Sequence, residues 1–256
     1  MALSSGFLLK LKRAETPFFR GLKRAAQKFR SASVPVPRLL KPGFRFLYEL
    51  HFIVLLGFRW CRNFFYCQPL FRARCAHVGK GFRMELMPFV DGPVEIHIGD
   101  HVTFSGRVDI LSGRVLDQPK LVLGDRAGLG HNVIISVSRE VVLEEGAWVA
   151  SDCRIADNDG HPKGADLRQE LLPPDLKDIR PVRICRYAWV GRGCHIRKGV
   201  TIGEGAIIGA NSVVISNIPP YCLALGNPAE VILRNVGRPR RAAGESPAAS
   251  GGAPPR

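Results

Sequence analysis

Residues 184–219 read ICRYAW-VGRGCH-IRKGVT-IGEGAI-IGANSV-VISNIP. Every block of six opens on a branched aliphatic: Ile184, Val190, Ile196, Ile202, Ile208 and Val214. A helix repeats every ~3.6 residues and an alternating strand every ~2, so a period of six fits neither. It is the signature of a parallel β-helix, in which each block supplies a short strand with its aliphatic turned inward, then a turn. Three blocks close a triangular coil of 18 residues, so Ile184 stacks under Ile202 and Val190 under Ile208. Stacked strands lie about 4.8 Å apart, which sets the advance per coil. Gly191, Gly203 and Gly209 follow three of the aliphatics, where small residues permit turns that larger side chains strain.

The same phase runs upstream. Ile98, Phe104 and Ile110 form one set of inward positions; Leu123, Leu129 and Ile135 form a second, and Leu143, Val149 and Ile155 a third. Val78, in VGKGFRM, opens an earlier and weaker coil. Coil starts therefore fall near 98, 123, 143, 184 and 202, and wherever the interval exceeds 18 a loop must leave the prism. That places loops at Ser112–Lys120, Ser138–Arg139 and Asp159–Pro181. The last contains Pro162, Pro173, Pro174 and Pro181, which excludes a continuing strand. It reads as a long structureless loop in a regular domain, the kind that usually carries function.

The net charge of +15 is unevenly placed. Residues 1–83 hold 17 Lys and Arg against Glu15 and Glu49, whereas residues 84–256 hold 20 bases and 20 acids. The excess belongs to the N-terminal third and implies an anionic partner there. Residues 7–30, FLLKLKRAETPFFRGLKRAAQKFR, interleave Phe and Leu with Lys and Arg at helical spacing, the pattern of a basic interfacial helix. Residues 44–65, FRFLYELHFIVLLGFRWCRNFF, are very apolar. Their longest uncharged run, Leu50–Phe58, falls short of the roughly 20 residues of a bilayer span. Two readings stay open. Residues 7–65 contact a membrane, with Arg45, Arg59 and Arg62 at the headgroups, or the apolar helix caps the open edge of the β-helix. Nucleic acid is not expected, because no binding module accompanies the basic segment.

The expected organisation is a helical extension over 1–75, a β-helix domain over 76–236 with its loop at 159–181, and a disordered Pro/Gly/Ala-rich tail over 237–256. Lys10, Lys12 and Arg13 break the apolar start, and no small-residue cleavage site follows, so no signal peptide is expected. That places the chain in the cytoplasm, peripheral at the inner membrane face if the helices bind lipid. The seven cysteines are scattered without a CxxC pair, so neither a zinc site nor a disulfide framework is indicated.

The segment ADNDGHP, residues 156–162, puts Asp157, Asp159 and His161 at a strand-to-loop junction. A histidine can take a proton near neutral pH and a nearby carboxylate can orient its ring, which is what activating a hydroxyl requires. Taken locally, Asp157–Gly160 reads first as turn chemistry with His161 beside it.

The hexapeptide coils, the GHP loop and the run RPVRICRYAWVGRGCHIRKGVTIGEGAIIGANSVVISNIPPYCLALGNPAEVI together resemble the hexapeptide acyltransferases, nearest to the galactoside, maltose and glycan O-acetyltransferases. The likeness covers roughly Val78 to Leu233. The ending IPPYCLALGNPAEVI is its most specific part, since bare hexapeptide runs also occur in sugar-nucleotide enzymes and γ-class carbonic anhydrases. The resemblance implies an all-β fold, a left-handed parallel β-helix, assembled as a homotrimer with each site between neighbouring prisms. It implies acetyl-CoA as co-substrate and a sugar or glycan hydroxyl as acceptor, as in polysaccharide or lipopolysaccharide biosynthesis. By the same resemblance, His161 is the general base, Asp157 or Asp159 orients it, and Asn132 binds the acceptor. The turns Gly191–Arg192 and Gly209–Ala210 are expected to offer backbone N–H groups to the thioester oxygen and the pantetheine arm.

Two departures from the family pattern bear on CoA. Arg192 stands where a small residue usually follows VG, and Ile215–Ser216 stands where Thr-Lys usually precedes IPP. That lysine approaches the CoA phosphates in relatives, so its role at Ser216 would pass to Arg192, Arg197 or Lys198. The fold is expected to survive both changes and CoA affinity to feel them.

Trp148 and Trp189 precede inward positions and are expected to face outward; Cys194 and His195 are expected to face opposite ways. A γ-carbonic anhydrase site needs convergent histidines, two of them five residues apart. His51, His77, His97, His101, His131, His161 and His195 include no such pair, and no metal is expected. A serine- or antibiotic-type acetyltransferase and a non-catalytic β-helix scaffold stay as alternatives.

Overall fold

A computed structural model describes residues 7, 9, 10, 12–14, 16–113 and 115–237. The tail expected to be disordered lies, apart from Gly237, outside the described residues. The chain divides into two compact units, residues 1–56 and 57–256.

The first unit holds helix α1, Pro17–Ser31, and most of helix α2, Lys41–Arg62. Thr16 starts α1: its hydroxyl accepts from the Phe19 N–H at 3.4 Å, and Pro17 occupies the first turn, where a missing N–H leaves no bond unmade. Phe18, Phe19, Leu22 and Phe29 recur at helical spacing among Arg20, Lys23, Arg24, Lys28 and Arg30, so α1 is amphipathic. It contains no buried residue, and every residue of α2 is exposed. Among the described residues, no helix is long and apolar enough to cross a membrane.

In the second unit the chain widens into a single π turn, Asn63–Cys67, where the Gln68 N–H reaches back to the Asn63 carbonyl, and then forms helix α3, Gln68–Arg74. This segment closes the lower end of the β-helix. Phe71 is buried against Phe82 and Phe104, with ring centroids at 5.8 and 6.1 Å. Asn63 Nδ2 donates to the carbonyls of Met84 and Glu85 at 3.2 and 2.8 Å. The Arg74 guanidinium donates to those of Val94 and Gly92 at 3.0 and 2.7 Å. Four carbonyls of the open edge thus have donors, and its apolar end is covered. Residues 63–74 thus close this end of the β-helix.

Three sheets form the faces of a left-handed β-helix, with six, eight and six strands. Neighbouring strands are parallel and in register, so each inward aliphatic stacks on its counterpart. On the first face Val78, Ile98, Leu123, Leu143, Ile184 and Ile202 form one column. On the third, Val90, Ile110, Ile135, Ile155, Ile196 and Val214 form another. The coil at Val78, weak in the sequence, is therefore present. Trp148 and Trp189 stack in register on the outside of the second face, as their phase requires.

Two features depart from the regular coils. The loop after Ala156 is not structureless: it holds a short helix α4, Ala165–Gln169, and a 3-10 turn, Leu176–Asp178. At the ending Cys222–Gly226 still pairs parallel with Ile207–Ile208, but the chain then turns back and Ala229–Arg234 pairs antiparallel with it. An antiparallel pair ends the stacking, so no further coil can add.

Candidate functional site

The long loop leaves the prism at Asp157, whose carboxylate is turned inside. It accepts the backbone N–H groups of Ser138, Arg139 and Glu140 at 2.7, 2.6 and 2.9 Å. The two-residue excess of the preceding coil is what presents these three successive amides. Burial pushes the Asp157 carboxyl upward, against the pull of Asn158 and the three amides. Asn158 is buried too; its Nδ2 donates to Ser136 Oγ at 3.0 Å and its Oδ1 accepts from the Gly160 N–H at 2.8 Å. Gly160 sits at φ +81°, a conformation side chains resist, and this bends the chain toward His161.

The loop is tied down at several further points. The Arg180 N–H donates to the Asp157 carbonyl at 2.9 Å, and Ile179 is buried. Asp159 takes an ion pair from Arg197 at 2.9 Å and another from Lys198. Lys163 pairs with Asp178, holding that carboxyl below the usual carboxylate range. His161 is exposed, between a fixed glycine turn and buried Pro162. Among the described residues its ring makes no hydrogen bond or ion pair, so neither Asp157 nor Asp159 touches it within this chain.

The remaining expected residues except Ser216 lie along one corner of the prism, between the second and third faces. There the left-handed turn residues Asn132, Asp152, Gly193 and Asn211 recur at the same place in successive coils, with φ of 55, 63, 71 and 59°. Asn132 Nδ2 donates to Asp152 Oδ1 at 3.2 Å. Arg192 Nε and Nη2 lie 2.8 and 2.7 Å from Asp152 Oδ2. Asn132 first, and Arg192 second, hold the Asp152 carboxyl below its usual range.

The backbone donors divide clearly. The N–H groups of Gly191 and Gly209 are bound to the carbonyls of Ile208 and Ala224, both at 2.8 Å. Those of Arg192 and Ala210 have no partner among the described residues. Gly191 permits the close stacking: a Cβ there would lie 2.6 Å from the Ile208 oxygen and 2.8 Å from the Ala210 nitrogen. Of the expected pairs, then, Arg192 and Ala210 hold the free amides. Ser216 is exposed on the turn beyond Val214. The three cations considered as substitutes for the missing lysine are all paired, Arg192 with Asp152, and Arg197 and Lys198 with Asp159. Among the described residues no cluster of His, Cys, Asp and Glu is arranged to hold a metal.

The sequence reading missed a hollow of about 230 Å³ on the outer face of the third sheet, beside Gly160. Arg154, His195, Ser136 and Ala156 line it, all at outward positions flanking the aliphatics of the hexapeptides. The signal was present as small residues at equivalent points of two coils, Ser136 and Ala156.

Residues 181–216 match the model of the bacterial transferase hexapeptide family, six repeats. A Saccharomyces cerevisiae protein assigned as an acetyltransferase is 35% identical over 112 residues, covering 44% of this chain and 55% of the relative. A Mycobacterium tuberculosis protein assigned the same activity is 29% identical over 163 residues, 60% of this chain and 48% of the relative. The chain thus spans about half the length of the curated relatives it matches. Among solved structures, an N-acyltransferase from Bacillus cereus, in complex with a dTDP-amino-dideoxyglucose and coenzyme A, has a TM-score of 0.52 at 18% identity. The match covers 64% of this chain and 87% of that one, a likeness of fold.

Proposed function

We propose that this chain belongs to the hexapeptide-repeat transferases, whose model and relatives it matches in part, and is a CoA-dependent O-acetyltransferase that acetylates a hydroxyl of a sugar or glycan. The observation that carries the reading is His161: an exposed imidazole with no bond among the described residues, on a loop anchored by buried Asp157 and by the Asp159 ion pairs.

In this reading the acceptor hydroxyl gives its proton to His161, and its oxygen attacks the thioester carbon of acetyl-CoA. The thioester oxygen gains the charge and is received by backbone N–H groups at the corner, for which the free amides of Arg192 and Ala210 are suited. Collapse breaks the carbon–sulfur bond, and the CoA thiolate takes the proton back from the imidazolium. Proton transfer of this kind contributes typically 10²–10⁴-fold, and one preorganised oxyanion donor about 3–4 kcal/mol. Asn132, fixed by Asp152, has its carboxamide oxygen left to accept from the acceptor. Asp157 acts through the loop, by holding the turn that presents His161.

The His161 loop and the Asn132–Ala210 corner are separate features of one prism, and among the described residues no hydrogen bond joins them. A homotrimer in which the loop of one prism meets the corner of the next would complete the site, in keeping with the family resemblance. We place the protein in the cytoplasm, at a membrane face. The exposed apolar residues of α2 and the basic amphipathic α1 suit an anionic lipid surface.

The test is acetyl-CoA turnover by the purified chain, read as free thiol release with a panel of glycans and lipid-linked sugars, for wild type and His161→Ala. Acceptor-dependent release lost in the variant supports the mechanism; release that survives the substitution sinks it. One observation favours a second reading: Arg192, Arg197 and Lys198 are all paired, so none of these three is a free cation for the CoA phosphates. Absence of both turnover and calorimetric CoA binding would make the chain a β-helix scaffold.

A further inference from the structure

The outer face of the third sheet narrows and then opens along one column. Leu111 stands in register with Ser136, and Ser136 with Ala156. The two small side chains leave the hollow of about 230 Å³, whose rim is completed by Asn158, Asp159 and Gly160 of the loop. In the adjoining column Ile134, Arg154 and His195 stand in register, so Arg154 and His195 are side by side on its wall.

The charges of this hollow do not balance. Its one carboxylate, Asp159, is already gripped by Arg197 at 2.9 Å and by Lys198. Asn158 has its amide nitrogen and oxygen both bound within the chain. The side chains of Arg154 and His195 have no ion pair or hydrogen bond among the described residues, and both residues are exposed. A cationic wall stands over a small-residue floor, and the chain runs from the rim at Gly160 directly into His161.

The geometry points to a subsite for an anionic group on the acceptor, a carboxylate or a phosphate carried by the sugar, bound by Arg154 and His195. The inference rests on reading His161 as the base of an O-acetyltransferase. The guanidinium of Arg154 matches a carboxylate or phosphate in planar, two-pronged fashion, and the neighbouring imidazole supplies a further N–H donor. The hollow is smaller than the roughly 300–1,000 Å³ of drug-sized pockets, so it takes one unit of a longer acceptor. An adjacent acidic unit held here would lie next to the hydroxyl presented to His161. The corner amides of Arg192 and Ala210 lie on a different line of the prism, so the anion site and the thioester site do not compete for the same donors.

The experiment compares acceptors that differ only in charge: glucuronate and glucose 6-phosphate against glucose, each with acetyl-CoA and the full chain. The ratio of kcat/KM for the charged acceptor over glucose is expected to be on the order of tenfold or more, as for one charge-assisted hydrogen-bonded contact. Glucuronate against glucose 6-phosphate separates carboxylate from phosphate. Arg154→Gln, His195→Gln and the double variant, each checked by thermal melting, should bring the ratio toward one. A ratio of one in wild type, or a ratio unmoved by the double variant, overturns the subsite while leaving the acetyltransferase reading intact. Variants that change KM for acetyl-CoA and not the ratio also overturn it. Should no acceptor be turned over, calorimetric binding of glucuronate or glucose 6-phosphate that is lost in the double variant would uphold the anion site and sink the acetyltransferase reading. Absence of that binding would overturn the subsite as well.

Discussion

Arg192 reaches one coil down to Asp152, with Nε 2.8 Å and Nη2 2.7 Å from the same carboxylate oxygen. The other oxygen accepts from Asn132 Nδ2, so the guanidinium fixes the carboxamide through one intermediary. Arg192→Met or Asp152→Ala should free Asn132 to rotate, raising KM for the acceptor on the order of tenfold while KM for acetyl-CoA moves less. Arg192→Lys should restore part of the effect. The pH dependence has a definite sign. The Asp152 carboxyl is depressed, by Asn132 first and Arg192 second, so its contribution is present above the usual carboxylate range and is lost as pH falls through the depressed value. Acceptor KM measured from neutrality into acid should therefore rise only at the acid end.

Asp157 is a different kind of carboxylate, fully enclosed and bound to three amides. Asp157→Ala leaves those N–H groups without an acceptor and should cost about 3 kcal/mol or more in urea unfolding. Asp157→Asn should be little better, because its NH₂ group meets donors. Burial raises this carboxyl above its unfolded value, so the folded chain holds the proton more tightly. The advantage of wild type over Asp157→Ala should decline as pH rises from ~4 toward neutrality, the reverse of Asp152. An advantage that grows with pH over that interval would contradict the raised value.

The coils were legible because a period of six permits no other regular structure, and because each aliphatic is inward in one phase only. Ile184, Val190 and Ile196 fix that phase, and Val78 follows from it. The ADNDGHP segment was legible as a junction, but not the direction of its side chains. Whether Asp157 points in or out depends on the two-residue excess at Ser138–Arg139, which presents three amides only once the coils are stacked. For the same reason the ion pairs of Arg192, Arg197 and Lys198, each bridging residues at least 38 apart, have no local signal. The antiparallel ending carries no signal in the hexapeptide period, because Ala229–Arg234 lies beyond the last six-residue block and is placed only by pairing back on Cys222–Gly226.

Phe71 closes the lower end of the prism, buried to 1% exposure against Phe82 and Phe104. Phe71→Ala should cost about 3–5 kcal/mol, the usual loss for emptying a buried aromatic site. The damage should begin locally: hydrogen exchange should speed first at residues 82–104, with the upper coils, from Ile184 onward, protected longest. Uniform exchange along the whole β-helix would show instead that the coils unfold as one cooperative block.

Helix α1 carries Arg20, Lys23, Arg24, Lys28 and Arg30 with no acid in its first turn, and no residue of α1 or α2 is buried. Phe18, Leu22 and Phe29 are exposed on α1 at helical spacing, and α2 exposes a longer series that includes Phe52, Ile53 and Trp60. The proposed contact with an anionic membrane surface would place these basic and apolar side chains in the headgroup layer. The full chain should sediment with phosphatidylcholine vesicles containing about a third phosphatidylserine, and far less with phosphatidylcholine alone. Added salt should weaken the binding, because exposed charges are screened beyond about 10 Å at 0.1 M. Replacing Lys23, Arg24 and Lys28 by Gln should lower the affinity on the order of 100-fold, at about one decade or less per cation near an anionic surface. Replacing Phe18, Leu22 and Phe29 by Ser should abolish binding even at low salt. Equal binding to neutral vesicles would remove the electrostatic part of the argument. Concentration-dependent self-association through these residues in the absence of lipid would assign the exposed faces to a second copy of the chain.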